Sequence, residues 1–171
     1  MDRRRLLFGV LALGILVTGY AVFFMSSEED RIHEACDKLE EALRMPPDRG
    51  NAAFFALSLK AKLAELLTKD ATFVVPESGQ GALRLDAIVG GAMRLGEGVQ
   101  TADVRLESRT IESLTDTSAT VTAKAVVTAL RGRGPERHER PARLELVKVD
   151  GDWRFAQVVA ERPTEGEGWV P

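Results

Sequence analysis

Cysteine is almost missing from this chain: Cys36 stands alone. That excludes an intramolecular disulfide and any cysteine-rich metal site. Histidine is nearly as scarce, with only His33 and His138. Neither Gly-x-Ser-x-Gly nor His-Glu-x-x-His occurs, so the sequence signatures of a serine-hydrolase elbow and a zinc-peptidase helix are absent. Gly90, Gly91, Gly96 and Gly98 come without a P-loop lysine and without a strand directly ahead of them. They do not read as a phosphate cradle. Positive charge is not in excess either. Setting aside Asp2, Arg3, Arg4 and Arg5 from 26 acidic and 23 basic residues leaves 25 against 20, a net charge of −5. Nucleic-acid affinity comes mainly from neutralising phosphates, so no nucleic-acid partner is expected. There is no internal repeat and no long low-complexity tract.

What the chain does have is a charge-free apolar run from Leu6 to Met25, preceded by Arg3, Arg4 and Arg5 and followed by Glu28, Glu29 and Asp30. At a helical rise of about 1.5 Å per residue it covers roughly 30 Å, the hydrocarbon thickness of a bilayer. Its leucines, isoleucine, valines and phenylalanines each favour insertion by about 0.3 to 0.6 kcal/mol near the centre. Arginines stay on the cytoplasmic side, so residues 1–5 form a cytoplasmic arm, 6–25 a transmembrane helix, and the rest is extracytoplasmic. This places the main domain on the periplasmic side of a cytoplasmic (inner) membrane, held by a single-pass signal-anchor. A cleaved signal peptide is the competing reading, since Gly19-Tyr20-Ala21 offers a small-x-small site. The run continues through Val22-Phe23-Phe24-Met25, which favours the uncleaved anchor. No lipobox cysteine lies nearby. Gly14 and Thr18 could admit a second helix, but small residues are common in spans.

About 145 residues remain outside the span, the usual size of one domain with a real core. Glu28 to Met45 reads as a helix, capped by Ser26 or Ser27, with acids in its first turn. Ile32, Cys36, Leu39 and Leu43 form its apolar stripe. Pro46 to Gly50 ends it. A second helix is expected from Asn51 to about Thr68, with Phe54, Phe55, Leu57, Leu59, Leu63, Leu66 and Leu67 giving a wide buried face. Ala71 to Val75 reads as a short strand stopped by Pro76. Leu83 to about Leu95 reads as a third helix, weakened by Gly90-Gly91.

From Val99 the apolar period becomes two. Ala119, Val121, Ala123, Ala125, Val127 and Ala129 alternate with polar residues, and Ala142, Leu144 and Leu146 begin another strand. Asp150-Gly151 between apolar runs is a hairpin turn signal. The expectation is an α+β domain over residues 26–161, its helices packed on a curved, mainly antiparallel sheet, with a loose tail at 162–171.

This arrangement resembles the nuclear transport factor 2-like superfamily, whose cone-shaped fold is shared with ketosteroid isomerases, scytalone dehydratase and SnoaL-like cyclases. The resemblance rests on the paired helices from Glu28 to Thr68, the Ala71 to Pro76 strand, and the closing hairpin Val147-Lys148-Val149-Asp150-Gly151-Asp152-Trp153-Arg154-Phe155. It covers about 130 residues. The fold hosts many functions and assigns none by itself. Sites resembling ketosteroid isomerase need a carboxylate base plus a phenol and a protonated acid. The one tyrosine here, Tyr20, lies in the apolar run, so the phenol role is empty.

Individual candidates are weak. Asp86 and Asp70 could serve as a base inside the cone, but acids at helix starts and loop ends are more often caps or solvated charges. His138 falls in Arg131 to Arg140, read as a solvated hairpin tip. Arg131, Arg133, Arg137 and Arg140 cluster there and could touch anionic lipid, although Glu136 and Glu139 make a mixed-charge tip the plainer reading. His33, Asp37 and Glu40 share a helix face opposite the apolar stripe, where a solvated row outweighs a metal site. Cys36 reads as a small core hydrophobe, with an intermolecular disulfide as the minority alternative. Trp169 in the tail could dock on a partner or fold back. No residue is assigned a catalytic, cofactor-binding or metal-ligating role.

The residues therefore point to a membrane-anchored, non-catalytic binding or assembly module that takes a protein partner or a small apolar ligand. Homo-oligomer formation stays open. In layout the chain is similar to single-pass assembly factors of type IV secretion systems. The alternative is an extracytoplasmic isomerase, cyclase or dehydratase using the interior of the cone.

Overall fold

The structure is a computed structural model that describes residues 27–47, 52–76, 81–96, 98–132 and 134–161. The expected cytoplasmic arm (1–5), membrane helix (6–25) and tail (162–171, with Trp169) lie outside the described residues. Among those described, no helix is long and apolar enough to cross a membrane. Residues 1–33 and 34–171 separate as two compact units, the boundary falling within the first helix, α1 (Glu28–Leu43).

In the first unit, the start of α1 is fixed by a reciprocal cap. Asp30 N donates to Ser27 Oγ at 3.1 Å, and Ser27 N donates to Asp30 Oδ2 at 3.0 Å. Two amides that a helix start leaves unpaired are thereby satisfied. Those hydrogen bonds hold the Asp30 carboxyl below its ordinary range.

In the second unit, α1 buries Cys36 and Leu39 of the expected stripe, together with Ala42, while Leu43 is half-buried. Met45, just past the helix, is stitched to Ala102 by a pair of backbone hydrogen bonds at 2.7 and 3.1 Å. Helix α2 (Ala52–Leu66) then runs without a loop into β1 (Leu67–Val74). The helix is shorter and the strand longer than the sequence suggested. The cause is the pairing of β1, in parallel, with β6 (Asp152–Ala160): Leu67 sits opposite Phe155, and Thr72, Phe73 and Val74 opposite Gln157, Val158 and Val159. An irregularity between Leu67 and Thr72 takes up Lys69 and Asp70. It breaks the alternation by which a strand is recognised.

β2 (Ala82–Leu83) pairs with the end of β1. α3 (Leu85–Gly96) follows, its first turn closed on Arg84 O by the amides of Ala87 and Ile88. Then come β3 (Val99–Leu114), β4 (Ser118–Arg131), β5 (Gly134–Val149) and β6, an antiparallel meander as expected. The six-stranded sheet runs β2-β1-β6-β5-β4-β3. Asp150 and Gly151 make the last turn with φ of 53° and 92°. This is the left-handed pair that a two-residue hairpin demands.

Most of the core lies on one sheet face. Ala119, Leu146 and Phe155 lie side by side across β4, β5 and β6, and Val121 lies opposite Leu144. Phe155, Leu144 and Val121 have no exposed surface, and neither do Leu63 of α2 and Cys36 of α1. No polar or charged residue is buried among those described.

Candidate binding sites

Asp37 stays largely exposed, as a solvated row requires, whereas Glu40 is withdrawn from solvent. Both are held by Arg109 of β3: its Nη1 donates to Asp37 Oδ1 at 2.6 Å and its Nη2 to Glu40 Oε1 at 2.5 Å. The same Glu40 oxygen accepts the Leu106 amide at 2.6 Å, and Arg109 Nε donates to Leu106 O at 2.8 Å. A bulge arranges this. Ser108 and Arg109 stand against Ala123 alone in the ladder between Glu107–Lys124 and Thr110–Thr122, and Ser108 has φ 52°. The extra residue re-aims the strand. Burial alone would lower the Arg109 pKa, but the hydrogen bonds to Asp37 and Glu40 outweigh it and raise it. This cluster is structural: each acid has a fixed cation.

The other sequence candidates also find structural places. Burial pushes the Cys36 thiol up to about 11, so at neutral pH it is a buried thiol and not a nucleophile. Asp86 is exposed and lies 2.8 Å from Lys60 Nζ. Asp70 is exposed on β1. The supposed hairpin tip contracts: Arg137, His138 and Arg140 lie within β5, opposite Thr128, Val127 and Ala125. The two strands stay paired there without a break, from Lys124–Pro141 to Leu130–Pro135, and opposite charges along them neutralise one another. Glu139 bridges Lys124 and Arg137, and those two hydrogen bonds lower its pKa.

Two surface features were not read from the sequence. The first is on α2, where the expected wide buried face divides in two. Ala56, Leu59 and Leu63 are buried. Phe54, Leu57, Ala61 and Ala64, spaced by three, four and three, are exposed; Phe54 keeps 75% of its surface and Leu57 68%. Residues so spaced share one helix face. Beside this stripe Phe54, Phe55, Leu59 and Pro46 line a groove of about 240 Å³, with Arg44 and Lys62 at its margin. Arg44 is held 3.0 Å from Asp103.

The second feature is a cleft of about 490 Å³ between α2, β1, the start of α3 and β6. Lys60, Lys69, Arg84 and Arg154 line it, with Asp86 as its one acid among the described residues. Leu67, Ala71 and Leu85 supply apolar wall. Arg154 Nε is buried and has no hydrogen-bond partner among the described residues.

No family model matches the chain, and none of the curated proteins matches it significantly. Solved structures do. A protein of unknown function from Mycobacterium tuberculosis superposes with a TM-score of 0.60 at 18% identity, over 78% of this chain and 70% of that one. A nuclear transport factor 2-like superfamily protein from Salmonella enterica gives 0.55 at 15%, over 82% and 93%. The CaMKII hub of S. rosetta gives 0.58 at 16%, over 77% and 93%. At such identities the likeness establishes the fold alone: an α+β, nuclear transport factor 2-like arrangement of helices on a curved mixed sheet.

Proposed function

We propose that this chain is a non-catalytic binding or assembly module that docks a protein partner on the exposed stripe of α2. Its extracytoplasmic domain, 26–161, is tethered to the inner membrane by residues 6–25. The observation that carries the docking reading is the pairing of Phe54 and Leu57, both more than two-thirds exposed on one helical face. Large apolar side chains placed together in water mark interaction surfaces, and a stripe at this spacing suits an amphipathic helix. The tether is supported by the apolar run and its flanking charges.

The enzymatic alternative would need an acid or base in the interior. The buried positions described there are filled by Phe155, Leu144, Leu146, Val121 and Leu63, which supports the binding reading. Self-association through the same stripe is a second occupant that the test separates.

The test is affinity purification of the full chain from detergent-solubilised membranes, alongside Phe54→Asp/Leu57→Asp. A stoichiometric partner retained by the native chain and lost from the variant is the expected result. Equal recovery from both would overturn the docking reading, and a second copy as the sole partner would assign the stripe to a homo-oligomer. For the tether, protease added to spheroplasts should digest the domain; a mature chain beginning after Ala21 would remove it.

A further inference from the structure

The cleft between α2, β1, α3 and β6 runs against the charge of the molecule. Several arginines elsewhere lie against carboxylates: Arg109 with Glu40, Arg143 with Glu112 at 2.6 Å, Arg105 with Asp103 at 2.8 Å. In the cleft only Lys60 has an acid, Asp86, while Lys69, Arg84 and Arg154 have no ion-pair partner among the described residues. Among the described residues, four cations lie against one carboxylate there, and like charges so gathered repel one another. Such an arrangement is relieved by a bound anion.

The orphaned Arg154 Nε sharpens this. A buried N–H without an acceptor costs free energy that an unburied one does not. A guanidinium presents donors in a planar fork that matches phosphate oxygens. The amino end of α3, which opens at the cleft with Leu85, adds partial positive charge. A carboxylate would neutralise one of the three unpaired cations; a phosphate monoester, carrying about −1.5 to −2 at neutral pH, neutralises more. The volume exceeds what inorganic phosphate fills and lies in the range of small-molecule sites. Leu67, Ala71 and Leu85 offer apolar wall for the rest of the ligand.

We infer that this cleft binds an organic phosphate monoester with an apolar body, its phosphate held by Arg154, Arg84 and Lys69. A soluble metabolite and a phosphatidic-acid head group share that chemistry. The site rests on neither the membrane tether nor Phe54 and Leu57, and shares only Ala64 with the α2 stripe.

The test uses the full chain in a nonionic detergent, titrated with phenyl phosphate, inorganic phosphate and benzylammonium. Phenyl phosphate should saturate at one per chain, at least tenfold tighter than inorganic phosphate, and benzylammonium should not bind. Lys69→Gln and Arg84→Gln alter exposed side chains, so both should melt like the native protein, and each should weaken phenyl phosphate about tenfold. Phe54→Asp/Leu57→Asp should bind it normally, which separates this site from the docking stripe. In a parallel arm, phosphatidylcholine vesicles are compared with and without phosphatidic acid. An increase that Lys69→Gln/Arg84→Gln abolishes assigns the ligand to lipid; binding of phenyl phosphate without that increase assigns it to a soluble monoester. No saturable binding in either arm, or binding undiminished in the double variant, would overturn the inference.

Discussion

Arg109 Nη2 lies 2.5 Å from Glu40 Oε1, joining residues 69 apart in the chain, and both side chains are largely withdrawn from solvent, at 15% and 18% exposure. The pair pins α1 to the bulge of β3. Arg109→Met strands a half-buried carboxylate and should cost about 1–3 kcal/mol. Glu40→Gln keeps an acceptor for the Leu106 amide and should cost less. Urea unfolding of the two variants checks the ordering; equal losses would contradict the stranded-charge account.

Cys36 supplies a pH signature. Its thiol titrates at about 11 in the folded state against 9.0 for the ordinary group, because burial disfavours the thiolate. An acid whose pKa is raised by folding adds stability that is fully present below the unfolded value and lost as pH climbs toward the folded one. The loss should fall between pH 9 and 11 and reach roughly 2 kcal/mol. Thermal melts of the native protein and of Cys36→Ala across that window should diverge in slope. Parallel curves would count against it.

Phenylalanine should matter in one place and hardly at all in another. Phe155→Ala removes a fully buried ring and should cost about 3–5 kcal/mol. Phe54→Asp, at a side chain that is mostly in water, should stay within about 0.5 kcal/mol. Denaturant midpoints of the two variants give the comparison directly. A large loss from Phe54→Asp would mean that α2 is covered.

Glycine substitutions should split by position. A Cβ at Gly90 or Gly91 would meet nothing within 4 Å, and neither glycine has positive φ. Alanine at either site should therefore stabilise α3 by about 0.5–1 kcal/mol. Gly151, at φ 92°, should lose about 1 kcal/mol on the same change. Melting temperatures of the three single variants decide this; a gain at Gly151 would contradict the turn geometry.

The features legible in the sequence were local. Ser27 and Asp30 cap within one turn, the Ala119–Ala129 alternation needs no partner to be seen, and Asp150-Gly151 names its own turn. The illegible ones depend on tertiary placement. α2 carries two apolar stripes and only one is covered by the described fold, so Phe54 and Leu57 read as core like their neighbours. The start of β1 is set by parallel pairing with β6, distant in sequence. Arg109 finds Glu40 only through the bulge at Ser108. The cleft cations come from four separate segments, each an ordinary surface charge until the fold gathers them.

The stitch between Met45 and Ala102 also bears on solubility at high concentration. β3 is the outermost rail of the sheet on its side, and a long unpartnered rail invites lateral accretion of other chains. Met45 occupies part of that rail, and the kink at Ser108 interrupts the remainder. Little straight track is left for ribbon growth, which protects this margin against fibrillar assembly.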